Sequence, residues 1–260
     1  MTLFGITPFA DFSLLQIAGL AAIYALAFFI KGVFGYGAVP TLVVLGSLVV
    51  PPHHAVLLAA ISNLITHVQF IPGAIRYGDR RLALRLVFFF VPTIAFGVWV
   101  FSQMDSSRLS LAAGVLILFI MLTEIFGLLR HAEPLIRKHN AIVGPLAASL
   151  AGLIAGLIGA GAMVFLSLYI KIFCPEKQQF RATILLVATM IIVWRSIILL
   201  GSHIVGPNIL LEAALLSPVA FAAGSAGGLA MRAIPNALFF RLYQVLMAAG
   251  AVLLIFKGLG

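Results

Sequence analysis

The sequence predicts an all-α integral membrane protein of two inverted repeats, each a glycine-broken helical hairpin followed by three spanning helices. Three observations predict it: composition, a duplicated glycine cluster, and the segregation of positive charge among the loops. Of the 260 residues, 63% are apolar and 9% charged, with a mean hydropathy of +1.21, whereas soluble domains carry about 25% charged residues. One buried core cannot hold so much apolar surface, so lipid must solvate the rest. Soluble, disordered, collagen-like and disulfide-stapled classes are thereby excluded. The lone Cys174 can neither close an intramolecular disulfide nor build a thiolate metal site. A net charge of +9 would suggest nucleic acid in a soluble chain. Here the basic residues lie mainly between apolar runs, as in loops facing an anionic leaflet, so lipid is the expected partner and nucleic acid is not. Asp11 is the only charge before Lys31, so the first apolar run is not expected to be a cleaved leader.

Apolar stretches run at about 13–30, 38–50, 53–74, 82–101, 109–129, 141–156, 162–173, 182–200, 209–231 and 237–256. Most approach the roughly 20 residues that a spanning helix needs. The exceptions fall in two pairs, 13–30 with 38–50 and 141–156 with 162–173. Each pair is split by a cluster of the form G-x-x-G-x-G-A, beginning at Gly32 and at Gly156. A proline turn follows each pair, Pro51-Pro52 and then Cys174-Pro175, with His53 and His54 read as loop residues beside the first. Three long runs come next in each half. Pro92 and Pro218 stand inside the second of these, with Gly97 and Gly224 a short way on. Shared punctuation of this kind marks an internal duplication. The expected units are an N-terminal membrane repeat, 1–130, and a C-terminal one, 141–260, joined by a polar linker over 131–140.

Loop charge chooses the topology. If each split pair enters the membrane and returns to the same face, the two halves are inverted. One face then collects Arg76, Arg80, Arg81, Arg130, Arg137, Lys138, Lys171, Lys177, Arg181 and Arg232, and the other only Arg108 and Lys257. A single crossing by each pair would divide these residues almost evenly. Positive loops belong inside, so the inverted arrangement is expected, with both termini outside and the linker in the cytoplasm. Inverted repeats with interrupted helices are the architecture of secondary transporters.

Laid out this way, the chain resembles the sulfite exporter TauE/SafE family, also called the 4-toluene sulfonate uptake permease family. The resemblance spans essentially the whole chain. It rests on the duplicated glycine cluster, the size and the basic linker; Gly35-Tyr36-Gly37-Ala38-Val39-Pro40 also keeps a following proline. It implies a permease of the bacterial cytoplasmic membrane for a small sulfur-containing or carboxylate anion, such as sulfite or an organosulfonate.

Such an anion must exchange part of its water shell for protein donors. An interrupted helix supplies them: the new half-helix begins with unpaired N–H groups and the positive end of its dipole. The backbone at Gly35, Tyr36, Gly37, Gly159 and Gly161 is therefore expected to line the anion site, against the alternative that the glycines only pack helices. Lys31 ends an apolar run beside the first cluster, and intramembrane charges mark functional sites by default. Arg195 is the second candidate cation, with an alternative route by which its side chain snorkels to the interface; Lys31 is expected nearer the translocation path. Asn63, Thr66 and His67 follow i, i+3, i+4 spacing and should share a helix face, with Asn63 and His67 as candidate substrate or proton contacts. Glu124 and Glu212 fall near span ends, where interfacial placement is expected. No nucleotide-binding loop, zinc-protease motif or nucleophile elbow occurs, so neither a cofactor nor an enzymatic activity is expected, and the driving force is a gradient. A coupling proton or ion is left open. The rival reading is a membrane-embedded scaffold or partner subunit without transport of its own.

Overall fold

The computed structural model describes residues 7–35, 37–127, 133–159, 162–230 and 236–259. Every element among them is helical: α1 (Leu14–Phe34), α2 (Ala38–Val49), α3 (Pro52–His67), a 3₁₀ turn (Val68–Phe70), α4 (Ile71–Tyr77), α5 (Arg80–Gln103), α6 (Ser106–Ile125), α7 (Glu133–Lys138), α8 (Asn140–Leu157), α9 (Ala162–Phe173), α10 (Lys177–Gly201), α11 (Pro207–Ala230) and α12 (Asn236–Leu259). Seven stretches within these are long and apolar enough to cross a bilayer. Helix is the necessary answer, since backbone N–H and C=O groups in hydrocarbon must be paired within their own segment. The side chains agree. Phe88, Phe96, Trp99, Leu146, Ile197 and Leu229 are exposed, a surface that only lipid solvates without cost.

Three boundaries differ from the sequence expectation. His53 and His54 belong to the first turn of α3 rather than to a loop, because Pro52 fits the first turn of a helix, where no N–H partner is needed. The run at 53–74 is not one helix: it passes through the 3₁₀ turn before α4. Pro72 has no N–H to offer the Val68 carbonyl, and the Ile71 N–H takes that carbonyl instead. The linker also holds a short helix, α7, with Glu133 in its first turn and Arg137 and Lys138 in its last, charges placed to complement the helix dipole.

The chain divides into two compact units, Met1–Thr66 with Met104–Leu118 and Leu199–Gly260, and His67–Gln103 with Phe119–Ile198. Each takes helices from both halves of the sequence. In the first unit α1 lies along α11, and in the second α8 lies along α5. Glycine permits both approaches. A Cβ on Gly32 would collide with the Gly224 carbonyl, and one on Gly156 would meet the Ile94 carbonyl and Gly97 Cα. The first glycine of each cluster thus packs against the glycine that follows the helix-internal proline of the other half, Pro218 or Pro92.

Polar contacts fix which helix ends lie together. In the first unit, Gln16 Nε2 donates to the Val49 carbonyl at 3.0 Å, so the start of α1 sits beside the end of α2. Lys257 Nζ donates to the Ser47 carbonyl at 2.6 Å, and Ser106 Oγ lies 3.5 Å from His53 Nδ1. In the second unit, Tyr169 Oη donates to Asn140 Oδ1 at 2.6 Å, so the start of α8 sits beside the end of α9. The Asp79 N–H donates to Thr183 Oγ1 at 2.9 Å, joining the α4–α5 connection to α10.

Candidate functional site

In the first unit, α1 stops at Gly35, which holds φ 82° and whose N–H returns to the Lys31 carbonyl. α2 starts after Gly37, at φ 102°, with no side-chain cap. Left-handed backbone at both positions is what glycine supplies without steric cost. The start of α2 is consequently an N-terminus whose first N–H groups lack a side-chain oxygen. Tyr36 lies outside the described residues.

Lys31 sits in the last turn of α1 and is 3% exposed. Its Nζ donates to Asn63 Oδ1 at 2.6 Å and lies 5.6 Å from the centroid of the Phe28 ring. Two residues flagged independently in the sequence, one basic and one amide, are thereby paired. Thr66 does not join them; its hydroxyl donates back to the Ser62 carbonyl at 2.7 Å. His67 is directed elsewhere as well. Its Nε2–H donates to Thr189 Oγ1 on α10 at 2.9 Å, whose own proton goes to the Leu185 carbonyl.

The second unit repeats the theme with another cation. α8 ends at Leu157, and Gly159 adopts φ 77° before α9 begins at Ala162. Gly161 lies outside the described residues. Arg195, from α10, is 4% exposed, and its Nε donates to the Gly156 carbonyl at 3.4 Å. The guanidinium rests on Gly159, where a Cβ would stand 2.5 Å from Nη1 and 2.9 Å from Cζ. Its buried Nη2 has no hydrogen-bond partner among the described residues. The side chain turns onto the glycine turn. In sequence, Arg195 and Gly159 are well separated, and only the packing of α10 beside the α8–α9 turn unites them.

Sequence reasoning missed one cluster. Glu212, expected at an interface, is 3% exposed. Its Oε2 accepts from His54 Nε2–H at 2.7 Å and its Oε1 from the Phe9 N–H at 2.9 Å. The placement of His54 in α3 rather than in a loop is what brings it there. Of Glu124, the other acid expected near a span end, the backbone lies within α6.

Apolar helices that bury cations at left-handed glycine turns define a multi-pass helical membrane protein. The chain belongs to the sulfite exporter TauE/SafE family, whose profile matches residues 20–254; this is a family of membrane transporters. Comparison with curated proteins and with solved structures gives no match.

Proposed function

We propose that the protein is a secondary permease for small anions, most directly sulfite, an organosulfonate or a related sulfur-containing or carboxylate anion, bound at the two glycine turns. The observation that carries this reading is Arg195. A guanidinium in a membrane interior costs several kcal/mol unless its charge and donors are satisfied, and here one Nη is buried without a partner among the described residues. An oxyanion supplies the missing acceptor, and a planar guanidinium fits two oxyanion oxygens at once. Gly159 keeps the approach open by having no side chain. At the other turn, the uncapped start of α2 and the buried Lys31 offer the same chemistry with backbone donors and an ammonium.

Within this proposal the sequence halves 1–130 and 141–260 are inverted repeats joined by 131–140 and interrupted at the glycine clusters. Three features support it: the exchanged glycine contacts, Gly32 with Gly224 and Gly156 with Gly97; the return of α2 to the start of α1; and the return of α9 to the start of α8. The membrane is the bacterial cytoplasmic one, as the family resemblance implies. No enzymatic step and no cofactor enter this reading.

The experiment is uptake of labelled sulfite and 4-toluenesulfonate by proteoliposomes containing this chain alone. Arg195→Lys keeps the charge and loses the fork. Charge-assisted hydrogen bonds contribute about 1.5–3 kcal/mol, so affinity for the transported anion should fall roughly tenfold or more while insertion persists. Gradient-driven uptake at the same level with wild type, Arg195→Lys and empty liposomes would refute the reading and favour a scaffold.

A further inference from the structure

We propose that the Glu212–His54 pair is the site where this carrier binds the proton that travels with its anion; this rests on the permease reading above. A carboxylate 3% exposed on a candidate spanning helix demands a purpose, because such groups are expensive in a bilayer and commonly serve as proton relays. Glu212 has both oxygens occupied, one by His54 Nε2–H at 2.7 Å and the other by the Phe9 N–H at 2.9 Å. With a neutral imidazole the pair bears one negative charge. One proton brings the pair to net zero charge, as an ion pair when the imidazole takes it and as two uncharged groups when the carboxylate does. Histidine is the side chain whose charge ordinarily changes between pH 5 and 8.

Proton access and linkage are both built in. Glu212 is enclosed, but His54 is 20% exposed. The Phe12 ring packs edge-on against the imidazole, its centroid 4.9 Å away, so the segment before α1 covers the pair. Two helices lead inward from it. α3 carries His54 and, about 13 Å further along at the helical rise, Asn63, which accepts from Lys31. α11 carries Glu212 and, about 18 Å along, Gly224, which touches Gly32 beside Lys31. Protonation that alters the Glu212–His54 contact thus acts on the two helices that together hold Lys31.

The charged and titratable surroundings are few. From α1, Tyr24 lies within electrostatic reach of Glu212 and is bonded to Ser62 of α3 at 2.8 Å, with Lys31 deeper. From α3, the neighbour is His53, which faces Ser106 of α6. Asp11 of the preceding segment is exposed, as is the Arg108–Asp105 pair at the start of α6. Lys257 of α12 is committed to the Ser47 carbonyl of α2. Glu212 is the only acidic or basic residue of α11. His54 is therefore the sole ionisable side chain bonded to Glu212 among the described residues.

The test uses 4-toluenesulfonate, a strong-acid anion that brings no titratable proton. Wild-type protein is reconstituted in liposomes with a trapped pH dye, and an inward sulfonate gradient is imposed. The expected result is lumenal acidification that depends on the gradient, lost in Glu212→Gln when expressed per sulfonate moved. His54→Gln, which removes the hydrogen-bond partner of Glu212 Oε2, should lower proton movement per sulfonate. Net sulfonate uptake by wild-type protein without proton movement overturns the proposal, and so does unchanged proton movement per sulfonate in Glu212→Gln. The wild-type measurement decides even if a variant fails to fold. Absence of any wild-type counterflow, with sulfonate, sulfite or carboxylate, would instead overturn the permease reading on which this one stands.

Discussion

The Gly159–Arg195 contact is where single atoms decide most. A side chain at φ 77° costs about 1–2 kcal/mol through its Cβ alone, and here that Cβ would land 2.5 Å from Nη1. Gly159→Ala should therefore displace the guanidinium and lower anion affinity roughly tenfold or more, the ratio that about 1.4 kcal/mol produces. Gly206→Ala, where a Cβ meets nothing within 4 Å, should leave binding as it is; equal affinities in the two variants, read by ligand-induced thermal shift, would refute the contact. Cys174 gives a second residue-level prediction. It is fully buried between α9 and α10, with Thr183 Oγ1 at 3.7 Å, and burial pushes its thiol above the ordinary range. The thiol is the inert form, so maleimide labelling of the folded protein should be slow near neutral pH and rise with alkaline pH. Folding stability contributed by the protonated thiol is complete below the unfolded-state value and is lost as pH climbs through the raised one. Rapid labelling at neutral pH, matching the detergent-unfolded protein, would contradict the burial. At this scale the sequence disclosed identities but not partners. Lys31 and Arg195 stood out because charge is rare in apolar runs, whereas His54 and Glu212 meet only through tertiary packing, and the adjacent prolines made His54 look like a loop residue.

Helices were far more legible, because in lipid an apolar run has no other fold to adopt. The run at 162–173 coincides with α9, while 82–101 and 182–200 fall within α5 and α10, which extend into the polar residues Arg80, Arg81 and Lys177. Helix propensity continues past the hydrocarbon edge, and hydropathy does not report it. Hydropathy was equally silent about the 3₁₀ turn at Val68–Phe70, since breaking the ladder there exchanges one carbonyl partner without changing polarity. The glycine clusters divide by position, which spacing alone did not foretell. Gly32 and Gly156 pack helices, whereas Gly35, Gly37 and Gly159 make the left-handed turns. Gly32→Val and Gly97→Val should each force a helix pair apart, because the obstructing atoms are backbone and cannot rotate away. Overpacking of this kind costs about 1–3 kcal/mol, visible as a lowered midpoint of thermal unfolding in detergent. Gly73→Ala, with nothing within 4 Å of the new Cβ, should match or exceed wild type. A Gly32→Val protein as stable as Gly73→Ala would show that α1 and α11 do not approach so closely.

Across the whole molecule, topology is the property on which loop charge and helix-end contacts make independent statements. Charge segregation assigns the N-terminus, the α2–α3 and α5–α6 connections, residues 201–208 and the C-terminus to the outside. Contacts within the first unit gather those same ends: Phe9 with Glu212, Gln16 with Val49, His53 with Ser106, and Lys257 with Ser47. Within the second unit, the contacts gather ends that charge assigns to the cytoplasm: Asp79 with Thr183, Asn140 with Tyr169, and Arg137 with the Ile172 carbonyl at 3.4 Å. Single crossings at the glycine clusters would separate the two ends of α1–α2, and of α8–α9, whereas the inverted arrangement we propose keeps Gln16 beside Val49 and Asn140 beside Tyr169. The prediction is read with single cysteines introduced on a Cys174→Ser background and a membrane-impermeant maleimide added to intact cells. Ser106→Cys and His203→Cys should label from outside, whereas Asp79→Cys and Lys138→Cys should label only after the membrane is opened. A reporter fused after Gly260 should be active when it requires the extracytoplasmic side and silent when it requires the cytoplasm. Labelling of Lys138→Cys from outside, or a cytoplasmic C-terminus, would overturn the inverted arrangement, because one misplaced end reverses every crossing that follows it.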